Sequence, residues 1–196
     1  MKQLQTDVVV IGAGTAGLSA YRNAKQFTPN VLMIESGPYG TTCARVGCMP
    51  SKLLIAAAEA AHSIEMAPAF GVHSSKPVID GKAVMARVKS ERDRFAGFVV
   101  EAVDELPDED KIKGYAKFLD ANRVQIDDHT IITAKRFVIA TGSRPSYPGV
   151  FNNFGDKLII NDDVFEWDDL PESVAVFGPG VIGLEIGQAL SRLGVN

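Results

Sequence analysis

The apolar positions come in short dense runs, each closed by glycine. Residues 7–11 are Asp-Val-Val-Val-Ile and stop at Gly12. A β-branched run this short predicts a strand buried on both faces, as in a parallel sheet. Ala16, Ala20 and Ala24 follow at helical spacing, and Pro29 stops that helix. Residues 31–34 form a second apolar run ending at Glu35, which completes a strand–helix–strand unit. An alanine-rich helix is expected from Pro50 to about Glu65, and a long helix over 82–105, closed by Pro107. Short strands are expected near 112–119, 123–126 and 130–132, with acidic polar connections that suggest an antiparallel meander. Further buried strands are expected at 137–140 and 173–177, the second leading into a helix that runs to about Leu193. Residues 145–170 carry the Pro, Gly, Asn and Asp of a linker or crossover.

Composition narrows the function classes. The chain has 196 residues, or roughly 1.3 domains at about 150 residues each. It is 46% hydrophobic and 22% charged, the balance of a globular protein. Its net charge of −4 lacks the basic surplus of a nucleic-acid binder. No apolar run approaches the roughly 18 residues of a membrane span. The opening segment has only a four-residue apolar run, too short for a signal peptide, so a cytoplasmic location is the default expectation. The only cysteines are Cys43 and Cys48, too few for a disulfide framework or, with no histidine nearby, for a structural zinc site, so no metal site is expected.

Gly12-x-Gly14-x-x-Gly17 sits between the first strand and its helix. In that context the first glycine makes a tight turn, the second lets the backbone approach a pyrophosphate and the third lets helix press on strand. The helix N-terminus offers free N–H groups to phosphate. Glu35, 18 residues after Gly17, is placed to accept hydrogen bonds from ribose hydroxyls. Gly178-x-Gly180-x-x-Gly183 repeats the motif, with Pro179 removing one N–H. Two copies suggest two dinucleotides. Cys43 and Cys48 are five residues apart, about 7.5 Å along a straight helix. A bond between the sulfurs therefore requires irregular backbone around Gly47. Pro50 suits a first helical turn, and a thiol just before that turn has its pKa depressed by the helix dipole, with Lys52 adding positive charge. Taken alone, the pair also fits two small buried cysteines without chemistry.

The segment Gly40-Thr41-Thr42-Cys43-Ala44-Arg45-Val46-Gly47-Cys48-Met49-Pro50-Ser51-Lys52 resembles the redox-active disulfide motif of the flavin-dependent pyridine nucleotide–disulfide oxidoreductases. These include dihydrolipoyl dehydrogenase, glutathione reductase and mercuric reductase, and the nearest flavour looks like dihydrolipoyl dehydrogenase. The resemblance spans essentially the whole chain, with Ala140-Thr141-Gly142-Ser143-Arg144-Pro145 and the 178–185 segment as further matches. It implies an α/β fold: a three-layer Rossmann-like FAD-binding domain with a small antiparallel meander over 1–147, then a linker and the start of a second Rossmann-like, NAD(P)-binding domain over 148–196. A C-terminal dimerisation domain would lie beyond, in a homodimer.

The resemblance also implies roles. Gly12, Gly14 and Gly17 cradle the FAD pyrophosphate, Glu35 and Ser36 serve the adenosine ribose, and Ala116 matches a backbone contact to adenine. Thr41, Thr42, Thr141, Gly142 and Ser143 lie along the flavin path, while Gly178, Gly180 and Gly183 serve NAD(P). Val181 stands where some relatives carry a tyrosine gate. Cys43 is the interchange thiol, Cys48 the thiol next to the flavin, and Lys52 pairs with Glu185 beside the flavin. Electrons would pass between a small dithiol or lipoyl-carrying protein, the Cys43–Cys48 disulfide, FAD and NAD(P). Arg45, between the thiols, departs from the usual pattern and leaves room for a different disulfide, and a mercuric or glutathione reductase-type relative with another substrate is an alternative. The catalytic base is not recognisable among His62, His73 and His129 and is expected outside this chain, so the 196 residues alone are expected to be inactive. A non-catalytic flavin-binding or redox-sensing module is the other reading.

Overall fold

The computed structural model describes residues 1–196. Its elements in chain order are β1 (Lys2–Ile11), α1 (Thr15–Ala24), β2 (Val31–Glu35), α2 (Thr42–Val46), α3 (Cys48–Met66), α4 (Gly81–Asp104), β3 (Lys111–Lys113), β4 (Ala116–Asp120), β5 (Arg123–Ile126), β6 (Thr130–Ile139) and α5 (Val181–Arg192). The chain divides into two compact units. The first comprises Met1–Thr42 and Ala96–Arg144, the second Cys43–Phe95 and Pro145–Asn196.

In the first unit all six strands form one sheet in the order β3-β2-β1-β6-β5-β4. β2 and β6 pair parallel to β1 on its two sides, and β3 pairs parallel to β2. β4, β5 and β6 form the antiparallel meander. Alternation along β1 splits the core. Val10 joins Leu18 and Tyr21 of α1 and Val103 at the end of α4, whereas Val9 joins Ile34, Ile132 and the meander residues Val124 and Ile126. This is the α/β, Rossmann-like arrangement expected from the strand–glycine–helix pattern. Tyr21 donates its hydroxyl proton to Asp110 at 2.6 Å, and Lys25 reaches the same carboxylate at 2.5 Å, tying α1 to the turn before β3.

Several boundaries differ from the sequence reading, each for a physical reason. β1 begins at Lys2, because residues 2–6 pair with 130–134 although their side chains are mostly polar. The strand expected over 112–119 is two. Gly114, at φ +144°, breaks it, so β3 joins the parallel part and β4 the meander. The strands expected at 130–132 and 137–140 are one, with polar Thr133, Lys135 and Arg136 in its middle. On α1 the fully buried residues are Gly17, Leu18 and Tyr21, with Ala20 and Ala24 of the expected alanine face packed half-buried against that cluster and Ala16 exposed.

The second unit packs α3, the first part of α4 and α5 around Leu54, Met85, Val88, Phe165, Ile186 and Leu190. The buried Arg92 guanidinium bonds Asp93 at 2.7 Å and Glu166 at 2.5 Å. Residues 173–177, expected as a buried strand, belong to no sheet, and Phe177 is 66% exposed. A strand needs a neighbour along its length, and this segment finds only its first rungs. Asn196 N–H donates to the Glu172 carbonyl at 3.1 Å and Val174 N–H to the Asn196 carbonyl at 2.8 Å, the bond pattern of a parallel pair.

Asp7 clamps the start of the first strand–helix–strand unit. Its carboxylate accepts from Lys135 at 2.6 Å, Thr28 at 2.5 Å and Asn30 at 3.1 Å. These bonds, the one from Lys135 foremost, hold its pKa at about 2 rather than 3.8. A depressed carboxylate contributes stability above its unfolded pKa and loses it as pH falls through the folded one. The melting temperature is therefore expected to fall between about pH 4 and about pH 2. Asp7→Asn should lower it at neutral pH and flatten its decline across that acid window. Parallel declines in the two proteins would show that Asp7 is not involved.

Candidate functional site

The first site is built at the carboxyl ends of β1, β2 and β6, where β2 and β6 flank β1 as parallel neighbours on its two sides. Open parallel sheets bind ligands outside the carboxyl ends of their strands. Gly12 takes φ +109°, and a methyl group there would overlap the carbonyl of Ala140. A methyl on Gly17 would overlap the carbonyl of Gly12, so α1 presses directly on the turn. Gly14 has nothing within 4 Å of its added Cβ, leaving its backbone face open. Gly14 is the N-cap of α1, without a side-chain cap. The first-turn N–H groups therefore keep their capacity for an anion. A tight first glycine, an open second and a close-packed third is the arrangement a dinucleotide pyrophosphate requires, so the residues fit FAD there.

Glu35 does more than its spacing indicates. One carboxylate oxygen accepts from the N–H of Ala13 inside the glycine turn and the other from the N–H of Gly37, each at 2.7 Å. Ser36 follows it and is exposed. The backbone joins the remaining predicted residues to this edge. Gly114 N–H donates to the Glu35 carbonyl at 3.1 Å, with Ala116 two residues on, and Ala140 N–H donates to the Ile11 carbonyl at 2.8 Å. Thr141, Gly142 and Ser143 lead away from that point in exposed coil. Thr41 is buried, and Thr42 opens α2.

The second site lies in the second unit. α2 ends at Val46, Gly47 takes φ −126° and ψ −118°, and α3 starts at Cys48. This break brings Cys43 and Cys48, both free thiols, into hydrogen-bond contact. Cys43 is half-buried and Cys48 exposed. The Cys43 thiol is pushed up, first by its hydrogen bond with Cys48 and then by burial, while the backbone N–H groups of Cys48 and Met49 pull it down. The helix-terminus N–H groups thus act in the expected direction on Cys43, but the neighbouring thiol outweighs them.

Lys52 is one turn beyond Cys48 on α3, and its Nζ donates to Oε1 of Glu185 on α5 at 2.8 Å. The two side chains are 60% and 36% exposed, so the pair is worth at most about 1 kcal/mol. They border a shallow cleft between α3 and α5 with Ile55, Gln188 and Arg192. Gly178, Gly180 and Gly183 repeat the first turn. Gly178 has φ +114°, Gly180 is open, and a methyl on Gly183 would overlap the Gly178 carbonyl. These residues fit a second dinucleotide. Val181 is exposed. His62 lies 14 residues along α3 from Cys48, about 21 Å by helical rise, His73 is exposed in the loop beyond, and His129 hydrogen-bonds Thr130 in the first unit.

A family model described as pyridine nucleotide-disulphide oxidoreductase matches residues 6–196. The chain belongs to this family. It is 34% identical over 193 residues to a mercuric reductase of Lysinibacillus sphaericus, covering 96% of this chain and 34% of that protein. It is 35% identical over 206 residues to a dihydrolipoyl dehydrogenase of Cupriavidus necator, covering 97% of this chain and 43% of the relative. The chain thus spans less than half the length of these relatives. Its fold matches the HOCl-induced flavoprotein disulfide reductase RclA from Escherichia coli with a TM-score of 0.80, at 21% identity, over 97% of this chain and 40% of that one. No helix of this family member is long and apolar enough to cross a membrane.

The glycine geometry separates two effects in this family member. Gly17→Ala forces backbone apart and should cost at least about 1–3 kcal/mol in urea unfolding. Gly14→Ser enters open space at an N-cap position that serine favours and should stay within about 0.5 kcal/mol. Equal losses in the two variants would contradict the assigned packing.

Proposed function

We propose that this chain carries the dithiol–disulfide centre and the dinucleotide cradles of an FAD-dependent disulfide oxidoreductase. It would exchange two electrons between a lipoamide-like dithiol, free or on a lipoyl-carrying protein, and NAD(P). The observation that carries the reading is the pairing of Cys43 with Cys48 across the Gly47 break, one turn from the Lys52–Glu185 pair. Residues 1–147 are assigned to the FAD-binding domain, and 148–196 to a linker and the opening of the NAD(P)-binding domain. FAD would be held by Gly12, Gly14, Gly17, Glu35, Ser36, Thr41, Thr42, Ala116, Thr141, Gly142 and Ser143, with Lys52 beside the flavin. NAD(P) would be held by Gly178, Gly180 and Gly183. When bound, FAD supplies a two-electron carrier and NAD(P) a hydride donor or acceptor.

The chain's own chemistry is thiol exchange. Starting from the Cys43–Cys48 disulfide, a substrate thiolate attacks Cys43 Sγ. A substrate S–Sγ bond forms, the Sγ–Sγ bond breaks, and Cys48 leaves as thiolate. The second substrate thiolate then attacks the substrate sulfur held on Cys43. The substrate closes to a disulfide, and Cys43 is released as thiolate and takes a proton. The substrate has lost two electrons and the cysteine pair has gained them. Because its hydrogen bond with Cys48 and its burial push Cys43 up, it holds that proton and needs a base to give it up in the reverse direction. His62 is about 21 Å along α3 from Cys48, which suits a base supplied by the other subunit of a homodimer. Lys52 keeps a positive charge one turn from Cys48, oriented by Glu185.

A second reading, reduction of a soft metal ion, is favoured by the mercuric reductases among the relatives and by paired thiols, which are soft ligands. Cytoplasmic location is part of the proposal. To test the exchange step, a linear disulfide, 2-hydroxyethyl disulfide, whose leaving thiol departs and cannot reclose on the adduct, is added to the reduced Cys48→Ala variant. A stable adduct on Cys43 is expected by peptide mass mapping, with none in Cys43→Ala. An adduct on Cys48 in the Cys43→Ala variant, with none on Cys43 in Cys48→Ala, would reverse the roles of the two thiols.

A further inference from the structure

The loop after β2 is gripped in a way that neither the glycine motif nor the cysteine segment accounts for. Lys113, the last residue of β3, is the register partner of Glu35, the last residue of β2. Its backbone is therefore fixed by the sheet. Its ammonium donates to the carbonyl oxygen of Gly37 and sits 3.6 Å from the centre of the Tyr39 ring. The N–H of the same Gly37 is held at 2.7 Å by Glu35, whose other oxygen holds Ala13 in the glycine turn. Gly37 is thus held at its N–H by the acid and at its carbonyl by the base, with Pro38 restricting the backbone next to it. Tyr39 is half-buried, so the cation lies on a ring that is itself packed.

We propose that Lys113 is a positioning residue of the first dinucleotide cradle: it latches the 36–40 loop through Gly37 and Tyr39, so that Glu35 stays aimed between the glycine turn and the ribose of a bound FAD. The inference rests on the reading of that cradle as the FAD site. Glu35 uses two of its roughly four lone-pair positions on Ala13 and Gly37. The remaining ones are directed only while Gly37 stays in place. Without Lys113 the Gly37 carbonyl and the Tyr39 ring lose their shared partner, the loop gains freedom, and binding must order it again. The specificity is for the adenosine end of the dinucleotide, since the latch acts through the ribose carboxylate and not through the pyrophosphate turn.

The test is a titration of the flavin-free 196-residue chain with FAD, followed by quenching of flavin fluorescence, with Gly14→Val as the control for the cradle. Lys113→Met is expected to raise the FAD dissociation constant about five- to tenfold, while Lys113→Arg, which keeps both the donor and the stacked cation, stays within about twofold of the wild type. Tyr39→Leu, which leaves the donor and removes the ring, should weaken binding by about two- to fivefold. Amide hydrogen exchange at Gly37 and Tyr39 in the flavin-free chain should quicken in Lys113→Met, a change that a merely stabilising surface lysine would not confine to this loop. If the wild type binds FAD, Gly14→Val does not, and both Lys113→Met and Tyr39→Leu match the wild type, the latch is overturned and the cradle stands. If the wild type does not bind, or Gly14→Val binds equally, the FAD reading itself fails.

Discussion

Everything in the first unit hangs on one close approach. At the end of β1 the backbone of Gly12 turns so tightly that neither it nor Gly17 has room for a Cβ. That contact sets α1 directly against the turn and leaves Gly14 open at the helix N-terminus. β1 is also the strand that both β2 and β6 pair with, so the turn sits at the middle of the parallel part of the sheet. The same point gathers Glu35 through Ala13 N–H and the 140–143 segment through the Ile11 carbonyl. A cradle for an anionic dinucleotide is therefore a by-product of how the central strand ends. At the head of α5, Gly178, Gly180 and Gly183 repeat the positive φ, the open second glycine and the crowded third, but Gly178 has open space where Gly12 meets the Ala140 carbonyl.

In the second unit the corresponding constraint is the break at Gly47. A continuous helix from Thr42 to Met66 would hold the two sulfurs apart along its axis. Ending α2 and restarting at Cys48 folds the pair together and aims the N–H groups of Cys48 and Met49 at Cys43. Two opposed effects meet on that thiol, and the proton-holding one wins. Lys52 and Glu185 add an exposed charge pair whose contribution to stability is small.

The glycine motifs, the run ending in Glu35 and the cysteine segment were legible because each imposes a backbone requirement that few residues meet. Gly17 and Gly183 could be assigned a packing role from position alone, and the need for irregular backbone at Gly47 followed from helical rise. What periodicity missed was set by pairing. The polar start of β1 and the polar middle of β6 are strands because each supplies the other's ladder, and no local pattern announces that. Gly114 divides two strands that read as one. Residues 173–177 read as a strand from their apolar side chains, yet a strand exists only beside another. Lys113 carried no signal, since its importance comes from the register that sets it opposite Glu35.

A chain that holds both a redox-active cysteine pair and a flavin takes up two electron pairs. A reductive titration of the oxidised, FAD-loaded protein under anaerobic conditions tests it most directly. Uptake of one electron pair by the Cys43–Cys48 disulfide and a second by the flavin is expected, with the disulfide's share lost in Cys48→Ser. Uptake by the wild type of the flavin's pair alone, unchanged in Cys48→Ser, would contradict the account.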